Sequence, residues 1–147
     1  GPERERIQQL ASASPVAGRI HFAGFQENPA PWYQAMDLLA VPSVNEGLSN
    51  ALLEAMASGV PALCHQACGH AEVIRADVNG WVANLIRPAE MAAQLTNILA
   101  DPGRLRKMGV AAREHIVQNF SLARMVCDYE RIYAAVAGVT PLTAQKL

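Results

Sequence analysis

Four short apolar stretches, RIHFAGF, DLLAVP, VPALC and NGWVAN, alternate along the chain with segments of helical period. This alternation constrains the fold more than any other feature. Short apolar runs without polar alternation suit strands buried on both faces. Strands joined through helices line up in parallel, with helices covering the sheet on both sides. The expectation is therefore an α/β fold, a Rossmann-like parallel sheet built from residues 20–25, 38–41, 61–64 and 81–83.

The helical segments carry their own signals. PERERIQQLA opens as a helix, with Pro2 suited to its first turn and Ile7, Leu10 and Ala11 on one face. NPAPWYQAM runs from a loop into a short helix, a helix is expected over about residues 50–57, and HAEVIRA forms another short one. Three helices finish the chain. The first places Met91, Leu95, Ile98 and Leu99 on one face. The second starts with Asp101 as cap and Pro102 at the first helical position, with the stripe Leu105, Met108, Ala112, Ile116. In the third, Ser121 caps a helix whose stripe is Met125, Tyr129, Ile132, Tyr133 and Val136. Residues 1–137 read as one unit, and the patternless 138–147 as a mobile tail.

Composition narrows the function classes. The 147 residues are 51% hydrophobic and 17% charged, against a usual charged share of about 25%. That fills a core and argues against disorder. A net charge of −1 gives no electrostatic reason to expect nucleic acid or an anionic membrane as partner. No apolar run reaches the roughly 18 residues of a membrane span. Three cysteines, an odd number, do not make a disulfide framework, and a reducing cytoplasm is the default compartment.

Within this frame VPSVNEGLSNALLEAMASGVPALC, residues 41–64, poses a problem. It is apolar or small almost throughout, yet holds Glu46 and Glu54 and no positive charge. An isolated buried carboxylate costs several kcal/mol or neutralises itself. The acids therefore lie on solvent or face something that needs them. In parallel α/β sheets ligands bind beyond the carboxyl ends of the strands. The loop of Glu46 leaves such an end and enters a helix, whose first N–H groups are unpaired and attract phosphate. The amides of Gly47, Leu48, Ser49 and Asn50 are thus candidate phosphate donors, and Gly47 permits close approach of a ligand. Ser49 and Asn50 read equally well as ordinary cap residues. Glu54 reads either as a solvated helix glutamate or as a carboxylate accepting two sugar hydroxyls. Both acids are expected to line one cleft at that end of the sheet.

These residues, with GHAEVI, NGWVA and MGVAAREHIVQNFS, resemble the retaining GT-B glycosyltransferases of family GT4, over about residues 1–136. The combination is specific: the Glu-x7-Glu pair of Glu46 and Glu54, the Glu-Ala-Met-Ala helix, the Gly-Val-Pro strand entry, and the later Met-Gly and Phe-Ser. The covered part resembles the C-terminal, donor-binding domain. The resemblance implies that Glu46 lies against the donor sugar and bears on charge developing at its anomeric carbon. It implies that Glu54 holds the ribose hydroxyls and that residues 47–50 meet the donor phosphates. It implies a nucleotide sugar as substrate, no cofactor, and an acceptor glycan or lipid-linked glycan held by an N-terminal domain. The setting it implies is the cytoplasm, with peripheral association at the inner face of the membrane.

The chain also departs from the family. CHQACGHAEVI stands where members often read Ala-Thr-Asp-x-Gly-Gly-x-Pro-Glu, so Cys68 replaces a glycine, Gln66 an acidic or amide residue and Ala71 a proline. Glu72 is kept. His65 and His70 fall on this donor-side loop. Cys64, His65, Cys68 and His70 lie within seven residues, but zinc sites normally pair two such clusters, and no metal is expected. Cys64, ending an apolar strand, reads as a small hydrophobe. His21 reads as a structural strand residue, Asp37 and Asp77 as cap and turn residues. The opening GPERER resembles the turn after the second strand of the family's domain. The expectation is therefore a partial domain, lacking the family's Arg and Lys phosphate pair and inefficient as a catalyst alone. The rival readings are another GT-B enzyme, such as a sugar-nucleotide epimerase or a phosphorylase, and a non-catalytic nucleotide-sugar-binding module.

Overall fold

A computed structural model describes residues 2–66 and 69–140. Its elements are α1 (Arg4–Ser12), a 3-10 turn (Ala17–Arg19), α2 (Ala30–Gln34), β1 (Leu39–Val41), α3 (Asn50–Ala57), β2 (Ala62–His65), α4 (His70–Val73), β3 (Gly80–Ala83), α5 (Pro88–Leu99), α6 (Pro102–Asn119) and α7 (Leu122–Ala137). The three strands form a parallel sheet in chain order β1-β2-β3. Leu39 registers with Ala62 and Val41 with Cys64; Leu63 registers with Trp81 and His65 with Ala83.

Alternation along β2 divides the core into two layers. Ala62 and Cys64 point to one face, where Val41, Leu52 and Met56 of α3, Val73, Ile74, and Ala112 and Ile116 of α6 pack. Leu63 points to the other, against Leu85, Ile98 of α5 and Leu105. Both faces are thus covered by helices. Leu52 and Met56 are fully buried, and truncating such a side chain to alanine costs about 2–5 kcal/mol. The expected α6 stripe, Leu105, Met108, Ala112 and Ile116, is buried throughout.

Close backbone contact seats α6 on α3. A Cβ on Gly109 would meet the carbonyl oxygen of Gly59 at 2.1 Å, so only glycine lets α6 rest on the turn that ends α3. Arg113 adds a hydrogen bond from Nη1 to the carbonyl of Ala57, satisfying one of the oxygens a helix end leaves open. Between α4 and β3, buried Asn79 accepts from the Arg75 N–H at 2.7 Å and donates to the Val73 carbonyl at 3.3 Å. Asp77 occupies a left-handed turn position (φ 63°), and its carboxylate pairs with Arg104 at 2.7 Å.

Two expectations are corrected, the strand over residues 20–25 and the strand role of His21. Residues 20–25 form no strand, and Ile20, Phe22 and Phe25 are exposed. Apolar patterning can favour an extended chain, but a strand needs a ladder. Among the described residues β1 pairs with β2 alone, leaving its other edge without a strand. His21 is accordingly an exposed residue outside any strand. The stripe of α7 is also uncovered: Met125, Tyr129, Ile132, Tyr133 and Val136 are exposed, and only Ala134 of that helix is buried. On α1, likewise, Ile7 and Leu10 are exposed. Periodicity marks a face as apolar without stating what lies against it.

Candidate functional site

The carboxyl ends of β1 and β2 carry the candidate residues. The segment after β1 turns through Glu46, Gly47, Leu48 and Ser49 into α3, which begins at Asn50. Ser49 occupies the N-cap position in extended conformation (φ −75°, ψ 119°), yet its side chain makes no capping hydrogen bond. Its carbonyl accepts from the Leu53 N–H, so the helix starts regularly, while its first N–H groups lie ahead of any intrahelical acceptor. Gly47, Leu48 and Asn50 are exposed and Ser49 is half-buried. The surface at this end of the sheet is open.

Glu46 lies beside the turn that follows β2. Its Oε2 is 4.0 Å from Nε2 of His70, a side chain wholly shielded from solvent, whereas the Glu46 side chain is 38% exposed. A Cβ on Gly69 would come within 2.8 Å of the Gly47 carbonyl oxygen. The two turns therefore touch through backbone, and a side chain at position 69 would drive them apart. The charge of Glu46 reaches Cys64 as well. Burial first, and Glu46 second, push the Cys64 thiol up to about 12. Cys64 is thus an inert, buried thiol rather than a nucleophile.

His65 and His70 are both buried and play different parts. The Leu85 N–H donates to Nδ1 of His65 at 3.0 Å. A nitrogen that accepts cannot carry a proton, so this contact specifies the tautomer with hydrogen on Nε2. His65 thereby ties the end of β2 to the chain beyond β3. Nδ1 of His70 lies 3.4 Å from the His65 carbonyl oxygen, which can only accept. Nε2 of His70 has no hydrogen-bond partner among the described residues.

Glu54 sits one turn into α3, exposed, where the Tyr33 hydroxyl of α2 donates to its Oε2 at 3.1 Å. Burial, that hydrogen bond and the Glu54 charge all raise the Tyr33 phenol above its ordinary value. Tyr33 escaped the sequence reading because nothing in WYQAM marks a residue that meets a glutamate 21 positions later. Gly69 had a signal in the family resemblance, which implies a glycine pair at positions 68 and 69. Cys68, the substituted first position, lies outside the described residues, and with it one of the four side chains weighed as metal ligands. Among the described residues no three His, Cys, Asp or Glu side chains gather to hold a metal. No helix among them is long and apolar enough to cross a membrane.

Comparison with known proteins adds to this geometry. A family model described as glycosyl transferases group 1 matches residues 1–101. The N-acetyl-alpha-D-glucosaminyl L-malate synthase of Bacillus anthracis is 35% identical over 133 residues, covering 90% of this chain and 35% of that protein. Among solved structures, sucrose-phosphate synthase from Thermosynechococcus elongatus superposes with a TM-score of 0.86 at 26% identity, over 94% of this chain and 35% of that one. Anabaena HepE, solved in complex with UDP-glucose, superposes with a TM-score of 0.77 at 23% identity, over 92% of this chain and 36% of its own. The chain spans about a third of the length of the curated relatives it matches.

Proposed function

The chain belongs to the group 1 glycosyl transferases, and from that premise we propose that it binds a nucleotide-sugar donor for retaining transfer of the sugar to an acceptor, in the manner of family GT4. The observation that carries this reading is the start of α3. A regular helix begins there, in the turn after Glu46, with a serine at the N-cap whose side chain makes no capping hydrogen bond and with Gly47, Leu48 and Asn50 exposed. Such a terminus suits a diphosphate.

The chemistry follows from charge. When the bond between the anomeric carbon and the diphosphate oxygen breaks, its electron pair leaves with the diphosphate. Negative charge grows on the phosphate, and the N–H groups from Gly47 to Asn50 are the donors proposed to receive it. Positive charge grows on the sugar, and Glu46 is the acid proposed to face it. Groups that meet charge only as it develops lower the barrier rather than the ground state. Glu54, a turn further along α3, takes the ribose hydroxyls in this reading, displacing the Tyr33 hydroxyl. His65 and His70 shape the donor side. The nucleotide sugar is substrate, and no cofactor is required. HepE, solved with UDP-glucose, supports a nucleotide sugar as the ligand class. The acceptor is proposed to be a glycan or lipid-linked glycan held by a further domain, in the cytoplasm at the inner face of the membrane.

The test is a panel of nucleotide sugars offered to the full-length natural protein, with release of free nucleotide and NMR of the product's anomeric configuration as readouts. The reading expects one donor to be consumed with its configuration kept. Inversion would refute the retaining assignment. Failure to bind any nucleotide or nucleotide sugar would refute the site.

A further inference from the structure

We propose that His70 is a positioning residue for Glu46, its Nε2–H closing a hydrogen bond onto the carboxylate and setting the angle at which that acid faces the donor. The consequence for turnover rests on the donor-site reading above; the hydrogen bond itself does not.

His70 is fully buried, and Nε2 has no hydrogen-bond partner among the described residues. Buried polar atoms are rarely left so, because lost hydration is not replaced. The other nitrogen, Nδ1, lies near the His65 carbonyl, which only accepts, so Nδ1 carries hydrogen in that contact. Nε2 lies 4.0 Å from Oε2 of Glu46. A carboxylate only accepts, so the two groups bond only when Nε2 carries the hydrogen.

The neighbours decide which side moves. His70 is fixed: it is buried, Gly69 before it rests on the Gly47 carbonyl, and Asn79 holds the end of α4. Glu46 is partly exposed on a loop. Closing the last ångström is therefore a movement of Glu46 toward a stationary imidazole, which a diphosphate ordering residues 47–50 would favour. From β2, the His65 carbonyl meets Nδ1 of His70, and Nδ1 of His65 is engaged by the Leu85 N–H. Cys64, also from β2, is a buried neutral thiol. Among the described residues, Glu46 is the charged acceptor that approaches Nε2.

Two variants of the full-length natural protein and one spectrum test this. His70→Leu removes the donor and keeps an apolar volume. His70→Gln restores an N–H near the position of Nε2. At saturating donor, His70→Leu is expected to lower kcat by roughly tenfold to 100-fold, the scale for a misplaced reacting group. Its affinity for UDP should stay within about twofold, and His70→Gln should recover most of the loss. In the UDP-bound protein, the 15N signal of His70 Nε2 should be that of a protonated, hydrogen-bonded nitrogen, and Glu46→Gln should shift it. Wild-type turnover in His70→Leu, or an unprotonated Nε2 in the UDP complex, overturns the proposal. If no donor is turned over, the glycosyl-transfer reading fails and the spectrum alone decides the hydrogen bond. It decides equally if His70→Leu does not fold.

Discussion

Helices α3 and α6 pack together on one face of the sheet, and both begin with a residue of the capping type. Their beginnings differ. At α6, Asp101 accepts from the Arg104 N–H at 2.9 Å, and Pro102 fills the first helical position. That helix end is closed by its own sequence. At α3, Ser49 stands in the same position and caps nothing. Serine can cap in this fold: Ser121 accepts from the Arg124 N–H at the start of α7. The difference therefore lies in place rather than residue type. The closed starts belong to α6 and α7, each of which follows another helix. The open one leaves the carboxyl end of a strand beside Glu46, where a ligand can do what a side chain does elsewhere.

The largest expected effect that sharpens this comparison is on turnover. In the full-length natural protein, Glu46→Gln should reduce kcat at saturating donor by about 100-fold, the scale for losing one group aligned with transition-state charge. Its affinity for free nucleotide should hardly change, as isothermal titration would show. Glu54→Gln should do the reverse. Donor and free nucleotide should both bind more weakly by about 1–3 kcal/mol, the range for a charge-assisted hydrogen bond, with kcat at saturation largely kept. An exchange of these two patterns would mean that the acids have been assigned the wrong way round. If neither quantity moves in either variant, both are surface glutamates and α3 is no more a ligand site than α6.

The remaining tests concern stability. Asp101→Ala should destabilise the fold by about 1 kcal/mol, the usual cost of a lost cap, and leave nucleotide affinity unchanged. Denaturant unfolding with and without nucleotide reads both. Ser49→Ala should change stability by only a few tenths of a kcal/mol, because its hydroxyl caps nothing. A loss at position 49 as large as at 101 would break the comparison, since it would mean that Ser49 caps α3 in solution.

The two helix starts also divide what the sequence made legible from what it did not. Caps, prolines and short apolar runs are local signals. They located the three strands, the start of α3 at Asn50, the caps at Asp101 and Ser121, and the buried stripe of α6. The contacts that define the candidate site are not local. Tyr33 reaches Glu54 across the α2–α3 packing, and Gly69 and His70 meet the loop of Glu46 only after two strands have paired. No periodicity encodes such meetings. Residues 20–25 and the stripe of α7 mark the same boundary from the other side. Their patterns are clear, but what a pattern packs against is settled by partners distant in sequence.

The order β1-β2-β3 has a consequence for how the chain forms. Among the described residues β2 pairs with β1 and β3 with β2, so both ladders close over a single helix-bearing connection, and such nearby closures cost little loop entropy. During synthesis, which proceeds from the N-terminus, β1, α3 and β2 are complete before any of α6 exists. The loop of Glu46 and its neighbouring turn can thus meet early. The layer under α3 stays open until Ala112 and Ile116 emerge. A nascent chain halted before α6 should therefore bind chaperones through that unfinished layer, and release should coincide with Gly109 settling onto Gly59.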